Sequence, residues 1–211
     1  MSILDFFILC GLWIGYFVIH SFLAAEISKS WFKSTFRNAG HIYRISYNII
    51  ASILLIPMLY YIYFVHSKDI IEWSGVYLFI GNAAALIAFS GFIYSLKFYR
   101  GMDFFGINQF RHKTTTETGL FVISPLHRFV RHPWYLFALI IIWTRDMNVH
   151  FLLSACLMTA YFFIGSHFEE RKLISHFGNR YREYITKVPR IFPSYRRYLT
   201  AAQATNLIGK D

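Results

Sequence analysis

Two short stretches of the sequence combine residue types that could bind a charged ligand and assist a reaction. The first is Arg131-His132-Pro133, which places a guanidinium and an imidazole directly before an apolar run. Proline suits the first turn of a helix, so Pro133 predicts a helix that begins there. The unpaired amides of that helix end, with Arg131 beside them, would attract an anion such as a carboxylate. The alternative interpretation is a basic anchor at a membrane interface, with Trp134 and Tyr135 as its aromatic residues.

The second stretch is Glu169-Glu170, which directly follows a later apolar segment. Adjacent helical residues point about 100° apart, so these two carboxylates do not form a matched pair. One could face a site while the other pairs with a neighbouring cation, Arg171 or Lys172. Carboxylates at a membrane boundary are costly unless they are paired or hydrogen-bonded. A bound cation, or the hydroxyl and amino groups of a cofactor, would satisfy them; a solvated helix start is the alternative.

The elements that must position these stretches are apolar segments separated by polar connections. Four of the segments are long enough to cross the hydrocarbon core as helices of about 20 residues, and the fourth in order is too short to span unaided. Only a short polar turn separates it from the fifth, so the two should form a tight helical hairpin that brings His132 close to Glu170. We therefore predict an all-α polytopic membrane protein with about five transmembrane helices in one domain, residues 1–211. The predicted spans are 3–25, 42–65, 75–94, 133–143 and 149–168, followed by a cytoplasmic tail at 169–211.

Composition and charge agree with a membrane location. The chain is 56% hydrophobic and 15% charged, whereas soluble domains carry about 25% charged residues. Its formal charge of +10 comes from basic residues in the connections rather than from one basic stripe, and no nucleic-acid-binding motif is visible. We therefore predict positively charged cytoplasmic loops in the cytoplasmic (inner) membrane, with the N-terminus outside and the C-terminus in the cytoplasm, and no nucleic acid partner. The basic tail is compatible with a helix up to residue 185 that breaks near 177–179.

The other histidine patterns in the sequence are weaker evidence for a ligand site. His20, in the first predicted span, is followed by Ser21, which is typical of a hydrogen-bonding pair in helix packing; contact with a substrate is the alternative. His127 and His132 are five residues apart, a spacing that does not align them on one helix face, and no cysteine joins them. We therefore predict no metal site.

The residues singled out above belong to a longer series of motifs. In the C-terminal half these are Arg131-His132-Pro133-x-Tyr135, Glu169-Glu170-x-x-Leu173, Phe177-Gly178-x-x-Tyr181-x-x-Tyr184 and Val188-Pro189-x-x-x-Pro193. This series resembles the isoprenylcysteine carboxyl methyltransferase superfamily. Within that superfamily, weaker motifs of the N-terminal half resemble the methanethiol S-methyltransferase and NnrU-like branch: His20-Ser21-x-Leu23-Ala24, Tyr43-Arg44-x-x-Tyr47-Asn48 and Asp103-x-Phe105-Gly106-x-x-Gln109. Two positions depart from the family's pattern, His127 where Tyr is common and Phe137 where Gly is common.

The resemblance implies a membrane enzyme that holds S-adenosylmethionine near the cytoplasmic face, and it makes the predicted cytoplasmic tail, 169–211, a cofactor-binding tail. Carried over position by position, it implies a catalytic role for Arg131, His132 and Glu170. We expect Arg131 to bind the cofactor's carboxylate, Glu170 to bind its ammonium or ribose, and His132 or Tyr135 to hold the sulfonium in line. The implied cofactor-binding residues are Arg131, His132, Pro133, Tyr135, Glu169 and Glu170.

The expected methyl acceptor is a small apolar or lipidated thiol, such as methanethiol, that arrives from the lipid bilayer. A thiol whose pKa is near that of cysteine, about 8.5, is mostly protonated at neutral pH, so it must lose its proton to a base or to water. His127 and His132 are both candidates for the base. The alternative functions are methylation of a prenylcysteine carboxyl group or of a phospholipid amine, and a non-catalytic role like that of NnrU-like membrane proteins.

Overall fold

The computed structural model describes residues 1–37, 39–98, 105–112 and 121–209, which are mostly helical. Asp103, named in one of the N-terminal motifs, lies outside the described residues. These residues also include two short strands, β1 (Asp69–Ile71) and β2 (Met147–Asn148). The α-helices in the described ranges are α1 (Ile3–Ala24), α2 (Glu26–Thr35), α3 (Tyr43–Phe64), α4 (Gly75–Leu96), α5 (Ile107–His112), α6 (Pro133–Trp143), α7 (Val149–Phe177), α8 (Asn179–Lys187) and α9 (Ala201–Ile208).

Four helical segments among the described residues are long and apolar enough to cross a membrane: α1, α3 with the 3₁₀ turn before it (Gly40–Phe64), α4 and α7. The predicted all-α polytopic membrane fold is therefore confirmed, and the chain is an integral membrane protein. Helix α6 has 11 residues, a length of about 16 Å, which is roughly half the thickness of the hydrocarbon core. The count of five crossings stays a prediction.

The chain divides into two compact units. The first contains α1, α2, α3, α5, both strands and the part of α7 up to Leu157. The second contains α4, α6, the rest of α7, α8 and α9, and it carries both sequence stretches that were singled out above. The organisation as one domain stays a prediction.

Polar side chains join the helices of the first unit inside its apolar surroundings. Helix α1 packs against α3, and His20 Nε2 on α1 lies 2.6 Å from the hydroxyl oxygen of Tyr47 on α3. The indole N–H of Trp13 donates to Ser154 Oγ on α7 at 2.9 Å. Buried polar groups in a membrane helix bundle are stabilised by such bonds. His20 therefore takes part in helix packing, as predicted, and the partner is Tyr47.

The turn before α7 is more regular than the sequence indicated. Strand β2 pairs antiparallel with β1, with Asp69 opposite Asn148. The side chain of Asn148 also donates to the carbonyl oxygen of Ile62 at 2.8 Å and accepts from the N–H of Phe151 at 2.8 Å. The predicted polar turn at this place therefore contributes a strand that fixes where α7 begins.

In the second unit, α4 packs against α6 through small residues of α4. A Cβ at position 91 would lie 2.7 Å from Cζ of Phe137, so any larger residue there would require this ring to move. One turn away, the indole N–H of Trp134 donates to Ser95 Oγ at 2.5 Å. Phe137, which departs from the family's pattern, is therefore accommodated by a glycine on the neighbouring helix.

Helix α7 continues through Glu169-Glu170 and ends at Phe177. Gly178 follows with a φ of 59°, a left-handed conformation that favours glycine, and α8 begins directly after it. The predicted break at 177–179 is confirmed. Helices α8 and α9 enclose a small core behind the site, formed by Ile123, Tyr181, Tyr184, Val188, Leu199, Ala204 and Leu207.

Candidate active site

Backbone hydrogen bonds fix the Arg131-His132-Pro133 motif in place. The N–H of Arg131 donates to the carbonyl oxygen of Pro189 at 2.9 Å, and the N–H of His132 donates to that of Arg190 at 2.9 Å. Pro133 then occupies the first turn of α6, as predicted. The segment after α8 therefore runs alongside the motif and forms a wall of the site.

The side chain of Arg131 is buried, with 5% of its surface exposed. Its Nε donates to Glu170 Oε1 at 2.7 Å, and its Nη1 donates to the carbonyl oxygens of Ile185, at 3.0 Å, and Val188. These bonds join the start of α6 to α7 and to the end of α8. Because Arg131 and His132 are both buried, their interpretation as an interfacial anchor is wrong.

Glu170 lies at the centre of the cluster, and its side chain is only 4% exposed. Its Oε1 meets Arg131 Nε and lies 3.1 Å from His132 Nε2. Its Oε2 accepts from Nε of Arg190 at 3.2 Å and lies 3.0 Å from Nη2 of the same residue. A buried carboxylate is stable only with such compensation. The solvated helix start is therefore wrong for Glu170, and its partners come from distant segments rather than from its neighbours in sequence.

Glu169 is placed differently, because 49% of its side chain is exposed. Its Oε2 accepts from the hydroxyl of Tyr135 at 3.1 Å and lies 3.5 Å from His132 Nδ1. The ring of Tyr135 stacks on His132 at 5.2 Å between ring centroids and on Phe162 at 5.0 Å. Glu169 thus presents an accessible carboxylate beside a stack of three rings.

The two histidines of this region favour different charge states. Burial lowers the pKa of His132, but hydrogen bonds to Glu169 and Glu170 outweigh that effect and raise the pKa above its usual value. Burial, together with the positive charge of His132, lowers the pKa of His127 to about 4. The Nδ1 of His127 lies 2.7 Å from the hydroxyl oxygen of Ser124. The site therefore stabilises the protonated form of His132 relative to a free imidazole, and it favours the neutral form of His127.

The charges of the cluster suit a zwitterionic ligand. Arg131, Arg190 and a protonated His132 supply three positive charges, and Glu169 and Glu170 supply two negative ones. Arg190 is the more exposed of the two arginines, with 36% of its side chain accessible. An anionic group would therefore be attracted to Arg190, and a cationic group to Glu169.

The structure brings together the residues that the sequence indicated, and it adds two. Arg131, His132, Tyr135, Glu169 and Glu170 form one cluster because the predicted hairpin returns the chain to the same place. Arg190 was missed, although it lies between the two prolines of the last C-terminal motif. Ser124 was missed as well, since no motif includes it.

Comparisons with known proteins show what the chain is similar to. It is 30% identical to methanethiol S-methyltransferase of Pseudomonas deceptionensis over 188 residues, and the aligned region covers 85% of this chain and 70% of that relative. It is 31% identical over 182 residues to methanethiol S-methyltransferase 2 of Bradyrhizobium diazoefficiens, with coverages of 82% and 68%. The chain belongs to the methanethiol S-methyltransferase family. The predicted branch of the isoprenylcysteine methyltransferase superfamily is confirmed, as is the prediction of an enzyme that transfers a methyl group from a donor.

A shorter match within this methyltransferase family is with the methanethiol S-methyltransferase of Mycobacterium tuberculosis. That match is 36% identical over 101 residues and covers 46% of this chain and 41% of the relative. No family model matches the chain, and no solved structure matches it. The site geometry described above therefore comes from this structure alone.

Proposed function

We propose that this enzyme transfers the methyl group of S-adenosylmethionine to a small thiol, with methanethiol as the first candidate. The observation that carries the proposal is that an accessible carboxylate, Glu169, and a half-buried guanidinium, Arg190, both border one buried ionic cluster. The names of the relatives supply the acceptor, since all those given above are methanethiol S-methyltransferases.

The donor set fits this cofactor. S-adenosylmethionine carries a carboxylate, an ammonium and a sulfonium, and it supplies an activated methyl group for in-line displacement. Glu169 offers its carboxylate to the ammonium or the ribose hydroxyls, and Arg190 offers N–H donors to the carboxylate. The stacked rings of His132, Tyr135 and Phe162 line the site with aromatic surface. The ring of Tyr135 is stacked between His132 and Phe162, so Tyr135 contributes through its hydroxyl, which donates to Glu169 and orients that carboxylate.

Within this proposal Arg131 and Glu170 act mainly by positioning. Arg131 is almost fully buried and donates to Glu170 and to two backbone carbonyls. Glu170 in turn orients His132 and Arg190. The proposal therefore assigns the contact with the ammonium to Glu169, whereas the sequence led us to expect Glu170. It likewise assigns the contact with the carboxylate to Arg190, whereas the sequence led us to expect Arg131. Positioning of this kind supplies much of the rate in a displacement that needs no covalent protein intermediate.

His127 is the better candidate for the base. A protonated His132, held between two carboxylates, has no lone pair to accept a proton. His127 favours the neutral form. Because its low pKa makes His127 a weak base, the imidazole would accept a hydrogen bond from the thiol and relay the proton to water as the S–H bond breaks. The bound cofactor would supply the methyl carbon for the thiolate, and its sulfide would leave with the electron pair of the broken carbon–sulfur bond.

The proposed orientation places this site on the cytoplasmic side of the inner membrane. Basic residues are concentrated in the connection after α1 and in the segment from Arg171 onward, and positive connections favour the cytoplasm. A reporter that is active only in the cytoplasm, fused after residue 211, should be active. A signal from a reporter that is active only outside the cell, fused at the same point, would show that the orientation is the reverse of the proposed one.

The decisive experiment is a labelled-methyl assay with the purified chain in detergent. The acceptors are methanethiol, a prenylcysteine and phosphatidylethanolamine, and the proposal expects label in the methylated methanethiol. Transfer to either of the other two, with none to methanethiol, would assign the alternative activity instead.

Calorimetry with S-adenosylhomocysteine tests the cofactor site separately. The proposal expects binding by the wild type and at least about tenfold weaker binding by Arg190→Gln, because a charge-assisted hydrogen bond is lost. Arg182→Gln, on the exposed surface of α8, is the matched control and should bind as the wild type does. Absence of wild-type binding would contradict the proposal.

A further inference from the structure

A loop next to the site exposes aromatic and basic side chains and contains no acidic residue. It comprises residues 192–198, Phe192-Pro193-Ser194-Tyr195-Arg196-Arg197-Tyr198, and is named here the 192–198 loop. Tyr195 is 80% exposed and Phe192 is 57% exposed. Ile191 and Leu199, on either side, are buried at 2% and 1%. The loop is thus held at both ends while its aromatic side chains point outward.

The beginning of the loop is continuous with the apolar surface of α7. The ring of Phe192 lies 6.1 Å from that of Phe163, measured between ring centroids. Ile164 and Phe168 on the same helix are 57% and 62% exposed. Phe163 lies about 9 Å along the helix axis from Glu169, in the direction of the apolar part of α7. Phe192 therefore extends the lipid-facing surface of a membrane-spanning helix beyond the helix itself.

The middle of the loop is basic. The guanidinium of Arg196 lies over the ring of Tyr195, 5.0 Å from its centroid. Arg197 instead donates from Nη2 to the carbonyl oxygen of Ile185 at 2.7 Å. Arg196 is therefore the cation of the loop that faces away from the protein backbone, next to its most exposed aromatic ring.

The end of the loop repeats the combination of aromatic and basic groups. The ring of Tyr198 stacks on that of Phe129, with 6.0 Å between centroids and 18° between planes. The guanidinium of Arg128 lies 5.6 Å from the centroid of Phe129. Aromatic rings flanked by cations are typical of the boundary between hydrocarbon and water in a membrane.

We propose that the 192–198 loop binds the surface of a bilayer that contains anionic phospholipid. Phe192 lies at the acyl boundary, as its contact with Phe163 requires, and Tyr195 and Arg196 lie among the headgroups. The positive charge of the loop is complementary to headgroup phosphates. One basic residue close to an anionic bilayer surface strengthens binding by about fivefold.

The test uses the full chain with Cys10→Ala and Cys156→Ala, in which Tyr195→Cys or Ala202→Cys carries a spin label. Ala202 is exposed on α9 and serves as the control position. Each labelled protein is reconstituted into nanodiscs of phosphatidylcholine alone or mixed with phosphatidylglycerol. Collisions with oxygen, which partitions into lipid, and with a water-soluble nickel chelate report the depth of the label. Circular dichroism checks that both variants keep the wild-type helix content.

The proposal expects the label at position 195 to be shielded from nickel and accessible to oxygen, and more so with phosphatidylglycerol. In a titration of phosphatidylglycerol content, Arg196→Gln should need about fivefold more phosphatidylglycerol to reach half of the full shielding of the label. Arg182→Gln on α8 should need the same content as the parent protein. Equal nickel accessibility at positions 195 and 202 in both lipids would overturn the proposal. So would shielding that is the same with and without phosphatidylglycerol, or that is unaffected by Arg196→Gln.

Discussion

Glu170→Gln should destabilise this protein strongly, whereas Glu169→Gln should hardly change its stability. Glu170 is 4% exposed and faces Arg131 at 2.7 Å, His132 at 3.1 Å and Arg190 at 3.0 Å. Removing one partner of a buried ionic network costs about 3–5 kcal/mol, because the remaining charges lose their compensation. Glutamine keeps one acceptor oxygen, so we expect the lower end of that range.

The magnitude translates directly into a melting temperature. In a chain of this size, 1 kcal/mol shifts the melting temperature by about 2–4 °C, so about 3 kcal/mol corresponds to about 6–12 °C. Glu169 is 49% exposed, and an exposed ionic contact contributes at most about 1 kcal/mol. Its replacement should therefore shift the melting temperature by no more than about 4 °C. Its effect should appear instead as at least about tenfold weaker binding of S-adenosylhomocysteine.

The assay is thermal unfolding without ligand, in one detergent, followed by calorimetry with S-adenosylhomocysteine. Glu183→Gln is the matched control, since Glu183 pairs with Lys187 on the exposed side of α8. The reasoning would be refuted by equal loss of stability in Glu169→Gln and Glu170→Gln. A Glu170→Gln protein with wild-type stability would refute it as well.

Three further predictions concern the packing at Gly91, the proposed base and the pH dependence of stability. Gly91→Ala should lower the free energy of unfolding by about 1–3 kcal/mol, because the added Cβ contacts Phe137. Adding Phe137→Leu to this variant should restore part of the loss. Gly165→Ala is the control and should cause no loss in thermal unfolding, because its Cβ would have no neighbour closer than 4.0 Å. His127→Gln should lower kcat/KM for the thiol by about 100-fold at pH 7. The ratio of kcat/KM between the wild type and the variant should become smaller as the pH approaches the pKa of the thiol, because the thiolate then forms without a base. Equal loss at every pH would exclude the base role. The folded protein lowers the pKa of His127 to about 4, so the unfolded chain takes up a proton at this residue first. The free energy of unfolding of the wild type should therefore fall as the pH drops from about 6.5 to 4. His127→Gln should show a smaller fall over the same pH range when unfolding is measured at each pH.

The cluster of site residues follows from the sequence, because two apolar segments joined by a short turn must form a hairpin. That hairpin brings His132 next to Glu169 and Glu170, which are 37 and 38 residues away. The different roles of the two glutamates do not follow from it. Their adjacent positions on a helix show that the two side chains point in different directions. Which of them turns inward depends on Arg131 and on Arg190, and Arg190 lies in the segment after α8.

Long-range contacts made by irregular segments account for the rest. The pairing of Arg131 and His132 with Pro189 and Arg190 involves backbone groups only, so no side-chain pattern in the sequence records it. The strand pairing of β1 with β2 was missed for a similar reason, since two or three residues are too few to show alternation. By contrast, the break at Gly178 was predictable because glycine favours the left-handed conformation found there.

The backbone pairing between residues 131–132 and 189–190 also sets an order of events during synthesis. Within the part of the chain that the structure describes, every helix long and apolar enough to cross the membrane precedes residue 178, so the insertion of these helices can be complete before the site has its second wall. A chain interrupted after α8 would insert fully yet leave the N–H groups of Arg131 and His132 without the carbonyls they bond to in the complete fold. Such a product would lie in the membrane with an incomplete site, so its abundance in the membrane would say nothing about its activity.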